Sequence, residues 1–251
     1  MPLSVMWKEL TAADLREKAQ AGAIVLLPVG SMEQHGPHLP VGIDTFLSEG
    51  VCKAAAEVVV KDLAIVVAPT LWCGMAEHHM AYGGTFTFDI PTYRAVLLCL
   101  LKSLERHGFK RVLIVNGHGG NISALAAFLP DFARETGLAL RVTTPYEPAQ
   151  QAISGFLEDQ DRVHHACEVE TSMMMVLAPD TVRREKLPEA HGAPHWTPQP
   201  AGVARYVSFR DVTASGVIGD ARRADAQKGE KIVAAVRDTL VAILRDARTW
   251  S

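Results

Sequence analysis

The stretch "AIVLLPVG", residues 23–30, leads through "SMEQHGPHLPVGI" into "DTFLSEGVCKAAAEVVV", residues 44–60, and this order decides the reading of the fold. An uninterrupted apolar run ending in glycine suits a strand buried on both faces, as in a parallel sheet. Residues 44–60 then carry apolar side chains at helical spacing, with Asp44 or Thr45 placed to cap the helix. The unit recurs along the chain. "LAIVVAPTL" (63–71) reads as a second buried strand, and "PTYRAVLLCLLKSLERHG" (91–108) as a helix opened by proline and closed by glycine. "RVLIVNGHGGN" (111–121) is a strand running into a glycine-rich turn, "ISALAAFLPDFARETG" (122–137) a helix, and "LALRVTTP" (138–145) a fourth strand. "ACEVETSMMMVLAP" (166–179) reads as a helix with a methionine-rich apolar face, and "ADAQKGEKIVAAVRDTLVAILRDA" (224–247) as a closing amphipathic helix. The alternation predicts an α/β fold, an open parallel sheet with helices on both faces, in a single domain over residues 1–251. Residues 186–215 hold four prolines and little periodicity, and read as a long excursion from that pattern.

Bulk properties narrow the function. With 251 residues, 48% hydrophobic and 21% charged, the chain has the composition of a soluble globular protein. A net charge of −3 speaks against general attraction to nucleic acid or an anionic membrane surface. No apolar run approaches the ~20 residues of a membrane span, and the N-terminus lacks the basic-then-apolar order of a signal peptide. Cys52, Cys73, Cys99 and Cys167 lie far apart without a CxxC pair, which suits buried thiols in a cytoplasmic protein.

In open α/β sheets ligands bind beyond the carboxyl ends of the strands. Two polar clusters fall there: Glu33, His35 and Asp44 after the first strand, and His118 directly after the strand at 112–116. A third, "HHACEVE", offers His164, His165, Glu168 and Glu170 near a helix start. Imidazoles and carboxylates gathered from several loops suit Zn2+ or Mn2+, and a carboxylate such as Asp44 can bridge two ions. The alternatives are plain. His118 can cap the following helix or bond a backbone carbonyl. The "GHGG" glycines can cradle a phosphate, though without the lysine and spacing of a P-loop. His38, between Pro37 and Pro40, reads as a supporting residue, and Met173, Met174 and Met175 as core filling.

"LLPVGSMEQHGPHLPVGIDTFLSEGV", "VNGHGGN", "HACEVETSMMMVLAPDTV" and the tail "GVIGDARRADAQKGEKIVAAV" together resemble the creatininase (creatinine amidohydrolase) family in order and spacing, nearly end to end. The resemblance implies a three-layer α/β/α domain around a four-stranded, mainly parallel sheet, a homohexamer, and two divalent ions per chain, Zn2+ or Mn2+ with Fe2+ also admissible. It implies that Glu33 and His118 hold one ion and that His35 and Glu170 hold the other, with Asp44 bridging and Glu168 the less favoured alternative to Glu170. It gives His165 the task of handing a proton to the leaving nitrogen. Where creatininase carries a glutamate two residues after the histidine of "NGH", this chain has Gly120; Glu168 is the expected catalytic substitute.

The resemblance implies hydrolysis of a non-peptide C–N bond in a small molecule, a creatinine-like lactam or a formamide. Creatininase closes its pocket with tryptophans on two loops; the matching stretches here, "TTPYEPAQ" and "LEDQDRVHH", offer Tyr146 and no tryptophan. Trp72, Trp196, Glu77, His78 and His79 are candidates to line a differently shaped pocket. Two rival readings are a metallopeptidase trimming a short peptide in cofactor maturation and a metal-binding relative without activity.

Overall fold

In the computed structural model, which describes residues 4–158, 160–196 and 203–251, the strand β1 (Ile24–Val29) is buried at every position. Its side chains alternate between two apolar cores, as the period of a strand dictates. Ile24 and Leu26 join Ile65, Val67, Leu113 and Val115 on one face; Val25, Leu27 and Val29 join Val66, Val112, Ile114 and Leu140 on the other. The helix α1 (Ala12–Gln20) precedes β1, and α2 (Ile43–Val59) follows it. Then come β2 (Ile65–Val67), α3 (Ile90–Arg106), β3 (Arg111–Asn116), α4 (Ile122–Thr136) and β4 (Ala139–Thr143). The chain continues through α5 (Gln150–Ser154), α6 (Glu168–Leu177), α7 (Phe209–Val212) and α8 (Ala226–Arg245). The sheet order is β2-β1-β3-β4 with every pairing parallel. Helices α2, α6 and α8 close the first core; α3 and α4 close the second, with Leu15 and Ala19 of α1 packed at its side. The expected three-layer α/β/α architecture is what the chain adopts.

The differences from the sequence reading have local causes. The second strand shrinks from 63–71 to three residues: Ala68 N–H still donates to Leu26 O, but Pro28 of β1 has no N–H to carry the ladder further, and Leu71 returns only as an isolated bridge to Val29. Helix α1 was not anticipated, although its signal is visible: Thr11 and Asp14 form a reciprocal capping box. Neither Asp44 nor Thr45 caps α2. Gly42 is the N-cap residue, the Thr45 hydroxyl donates to Gly42 O, and Asp44 turns inward, buried. Cys99 lies exposed on α3, unlike the three other thiols. The excursion at 186–215 is tied down at both ends: His191 and Ala193 bridge to Asp220 and Ile218, and Phe209 opens α7. Its residues 197–202 fall outside those described. No helix among the described residues is long and apolar enough to cross a membrane.

The chain runs from β1 outward to β2 and then back across to β3, so the connections diverge between the carboxyl ends of β1 and β3. That divergence is where open α/β sheets hold ligands.

Helices α6 and α8 meet at backbone distance. A Cβ built on Gly229 of α8 would sit 2.0 Å from Ser172 O of α6. Gly229→Ala gains about 1 kcal/mol of helix propensity but forces apart a packed contact at a cost of about 1–3 kcal/mol. The expected net result is a lower urea midpoint; a midpoint raised by about 1 kcal/mol of stability would show that the helices do not touch there.

Candidate metal centre

Two glycines deliver the centre. Beyond β1, a Cβ on Gly30 would lie 2.9 Å from Asp44 C and Thr45 N; beyond β3, one on Gly117 would lie 2.8 Å from Asp44 O. The first turn of α2 therefore drops between the ends of the two central strands, and Asp44 arrives at their divergence. Glu33 is anchored by its own N–H donating to Val41 O at 2.8 Å. Gly36, at φ +68°, turns the chain just past His35.

Glu33, His35, Asp44, His118 and Glu170 come together at this point, all buried. Asp44 offers one oxygen to each side. Its Oδ2 lies 3.2 Å from His118 Nδ1, which is 3.1 Å from Glu33 Oε2. Its Oδ1 lies 3.4 Å from His35 Nε2, which is 4.0 Å from Glu170 Oε2. The opposite nitrogen of each ring is committed: His118 Nε2 donates to Met75 O at 3.1 Å and His35 Nδ1 to Glu33 O at 3.1 Å. These bonds leave the inward nitrogens with lone pairs when the rings are neutral. His118 thus bonds a backbone carbonyl with one ring nitrogen and faces the cluster with the other.

Glu170 sits in the first turn of α6, where its Oε2 accepts the Ala166 N–H at 2.6 Å. Ala166 holds φ +52°, a left-handed conformation rare for a residue with a side chain, and the tight turn it makes sets His165 beside the cluster. The rings of His165 and His35 stack at 4.1 Å.

The centre has the chemistry of a cation site. Glu33 Oε1 and Oε2, His35 Nε2 and Asp44 Oδ2 are buried without a hydrogen-bond partner, so close approach there is not hydrogen-bond geometry. Unsatisfied buried acids are costly unless a positive charge joins them. Oxygen and imidazole donors in this number suit two divalent transition ions. Protons take that place otherwise. Burial opposes charge on both rings, yet Asp44, Glu170 and Glu33 lift His35 to about 9, and Glu33 and Asp44 hold His118 well above the usual histidine range. Burial raises Glu170 to about 7, while His35 and His118 outweigh burial at Asp44 and hold it below the usual carboxylate range. Burial, then His35, keeps His165 far below the ordinary range and therefore neutral.

Glu168 corrects the sequence reading. It points away from the cluster into the α6–α8 contact, where it is buried against the Lys228 ammonium, and its Oε2 accepts the Glu158 N–H at 3.3 Å. Two positions apart on a helix, Glu168 and Glu170 cannot face the same way. Gly120 is equally constrained: a Cβ there would meet His118 Nε2 and Met75 O at 2.4 Å and His78 Cε1 at 2.9 Å. A glutamate does not fit there without breaking the contact between His118 and Met75 O.

The sequence reading undervalued His79. Buried on the 3-10 turn Glu77–Tyr82, it sets Nε2 3.2 Å from Glu33 Oε1. "EHH" was the visible signal, but nothing in the sequence distinguishes His79 from its neighbour. Phe209 was missed altogether; its ring packs on His79 at 4.2 Å and His165 at 4.5 Å. His38 takes the supporting place expected for it, bonding Thr171 Oγ1 on α6 at 2.7 Å. The cluster opens into a cavity of about 760 Å³, whose lining includes His78, Tyr146, His164, His165, Trp196 and Phe209. Trp72 lies outside it, exposed and edge-on to Phe86.

A family model described as creatinine amidohydrolase (creatininase) matches residues 8–244. Mycofactocin precursor peptide peptidase of Mycolicibacterium smegmatis is 34% identical over 220 residues, covering 84% of this chain and 80% of the relative. Creatinine amidohydrolase of Pseudomonas putida is 30% identical over 254 residues, 93% of each protein. A crystal structure of creatinine amidohydrolase superposes with a TM-score of 0.82 at 26% identity, covering 96% of both chains. Creatininase has also been solved in a manganese form and, as a variant, in a zinc–zinc form.

Metal binding should release protons. His35 must be neutral to offer Nε2, and below about 9 the metal-free ring holds a proton. Zinc affinity is therefore expected to climb as the pH rises toward that value. Calorimetry in two buffers of different ionisation enthalpy counts the protons at neutral pH; a count of zero would contradict a protonated centre.

Proposed function

The chain belongs to the creatininase family of metal-dependent amidohydrolases, and from that premise we propose that it hydrolyses a non-peptide C–N bond in a small cyclic amide of the creatinine type or in a formamide. The carrying observation is Asp44, which directs one oxygen toward His118 and Glu33 and the other toward His35 and Glu170. In this reading Glu33 and His118 would hold one divalent ion and His35 and Glu170 the other, with Asp44 available to both. Zn2+ and Mn2+ are the candidates, supported by the donor set and by the ions in the creatininase structures, with Fe2+ within the same chemistry. Such ions supply Lewis acidity toward the amide carbonyl and toward water.

The protein's own groups do the rest. His165 Nε2 donates to Gln34 O at 2.7 Å, so the neutral ring presents Nδ1 to the cluster. It takes a proton from the attacking water and returns it to the leaving nitrogen. Gly119 and Gly120 line the cavity wall, and in this reading their backbone N–H groups would help stabilise the oxyanion. The excursion at 186–215 adds Trp196 and Phe209 to an aromatic wall to which the loops matching those of creatininase contribute Tyr146 and no tryptophan. Phe209 backs the histidines, and Trp196, partly exposed, lies 5.2 Å from Phe209 on the cavity lining. A single domain, a homohexameric assembly and a cytoplasmic setting complete the reading, the last supported by four free thiols.

One observation favours a second reading. The cavity is far larger than a small lactam, and past Arg162, His164 and Trp196 it adjoins a second cavity of about 830 Å³. A short peptide would lie across both, its acyl part toward the metal ligands and its leaving part beyond Trp196.

Loading tests the centre. Asp44→Ala is expected to lose both ions and His118→Ala only one, read by elemental analysis after dialysis; one tightly held ion in Asp44→Ala would argue against a shared carboxylate. The activity test is a screen of creatinine, other lactams, formamides and short peptides with Zn2+- and Mn2+-loaded protein. Turnover of a lactam or formamide is expected, with His165→Ala lowering kcat about 10²–10⁴-fold at unchanged metal content. Turnover of peptides alone would replace the first reading by the second, and turnover of none by well-loaded protein would count against both.

A further inference from the structure

Gln34 lies between two cluster residues in sequence, yet its side chain makes no part of the cluster. It is buried, and two glycine backbones fix which way its amide faces. Gly36 N–H donates to Gln34 Oε1 at 2.9 Å, and Gln34 Nε2 donates to Gly216 O at 3.2 Å. Turning the amide over would set donor against donor at Gly36 and acceptor against acceptor at Gly216. Gly216 is at φ +81°, and a Cβ there would come within 1.9 Å of Gln34 Oε1, so only glycine lets this amide in.

With the orientation settled, the neighbouring rings follow. Gln34 Nε2 lies 3.1 Å from His79 Nδ1 and, being a donor only, requires that nitrogen to accept. A neutral His79 then carries its proton on Nε2, 3.2 Å from Glu33 Oε1. His79 is thereby an N–H facing the carboxylate and not a ligand, although its ring nitrogen, Glu33 and His165 are close enough together to resemble a third cation site. The main chain of the same residue governs His165. Gln34 O can only accept, so His165 Nε2 donates, and His165 Nδ1 turns a lone pair toward the cluster, 3.6 Å from Glu33 Oε1. The 3.1 Å approach of Gln34 Nε2 to His165 Nε2 is then a contact between two donors and not a bond.

We infer that Gln34 is the positioning residue of the centre: its amide and its carbonyl set the tautomers of His79 and His165, so that one ring presents a proton to Glu33 and the other a vacant base. The first turns its N–H edge toward Glu33 Oε1, while Glu33 Oε2 lies 3.1 Å from His118 Nδ1. The second keeps Nδ1 of His165 free to take a proton. The catalytic consequence rests on the hydrolytic reading above; the tautomers do not.

Long-range ¹H–¹⁵N spectra of zinc-loaded protein labelled at histidine read which nitrogen of each ring carries hydrogen. In the unaltered protein both His79 and His165 are expected as Nε2–H. In Gln34→Glu, a near-isosteric change, the carboxylate accepts from His79, and its proton moves to Nδ1. His165 keeps Nε2–H in the same sample, because its partner is the backbone. Gln34→Met, which offers neither donor nor acceptor, should leave His79 a mixture of the two forms. With an amide the enzyme turns over, Gln34→Glu is expected to lower kcat about 10–100-fold with KM nearly unchanged. Two results overturn the inference: His79 found as Nδ1–H in the unaltered protein, as a ligand through Nε2 would be, or a His79 pattern that Gln34→Glu leaves unmoved. Since the spectra need no substrate, their failure is separate from any failure to find one.

Discussion

Three carboxyl groups, Glu33, Asp44 and Glu170, are buried together with two imidazoles, and most of the atoms that face one another lack hydrogen-bond partners. Such a group of acids is tolerable only with positive charge among them. Protons on His35 and His118 or bound cations both meet that requirement, and the ring geometry shows which the site is built for. Each imidazole spends its outer nitrogen on a backbone carbonyl, so the inner one is oriented as a donor atom to a cation. The surrounding architecture serves to keep these groups at close range, at the floor of the cavity.

Close backbone approach is how the fold achieves this. Gly30 and Gly117 follow the two central strands and admit the first turn of α2; without their bare backbones Asp44 would stand farther out. Gly120 leaves room for the bond between His118 and Met75, and Gly216 leaves room for Gln34. Glycines that read in the sequence as turn residues are here the positions where a Cβ would push a functional side chain away. Helix α6 is likewise held at backbone contact by Gly229 of α8, and that seat aims Glu170 inward while Lys228 receives Glu168.

How much was legible depended on range. The apolar runs and helical periods placed the sheet and its helices because those patterns are local. Glu33, His35, Asp44 and His118 were legible because strand ends in a parallel sheet are a known meeting place. Glu168 was misplaced because two acids two positions apart on one helix are equivalent until something fixes the helix's rotation, and here that is the ammonium of a residue sixty positions away. His79 and Phe209 come from separate excursions whose meeting no periodicity encodes. The second strand ended early for a reason that was visible, the proline at 28 in its neighbouring strand.

By itself the sequence determined the order of strands and helices, the kinds of donor atoms at two strand ends, and the family. It did so because burial on both faces of a strand, helical period and glycine turns are written in consecutive residues. Only the tertiary structure decided that Asp44 divides its oxygens between two sets of donors, that Glu170 and not Glu168 joins them, that Phe209 and Trp196 join Tyr146 in the aromatic wall, and that Gln34 governs two rings. Those are matters of which side chains meet and which way each hydrogen points, and they are set by packing between segments far apart in the chain.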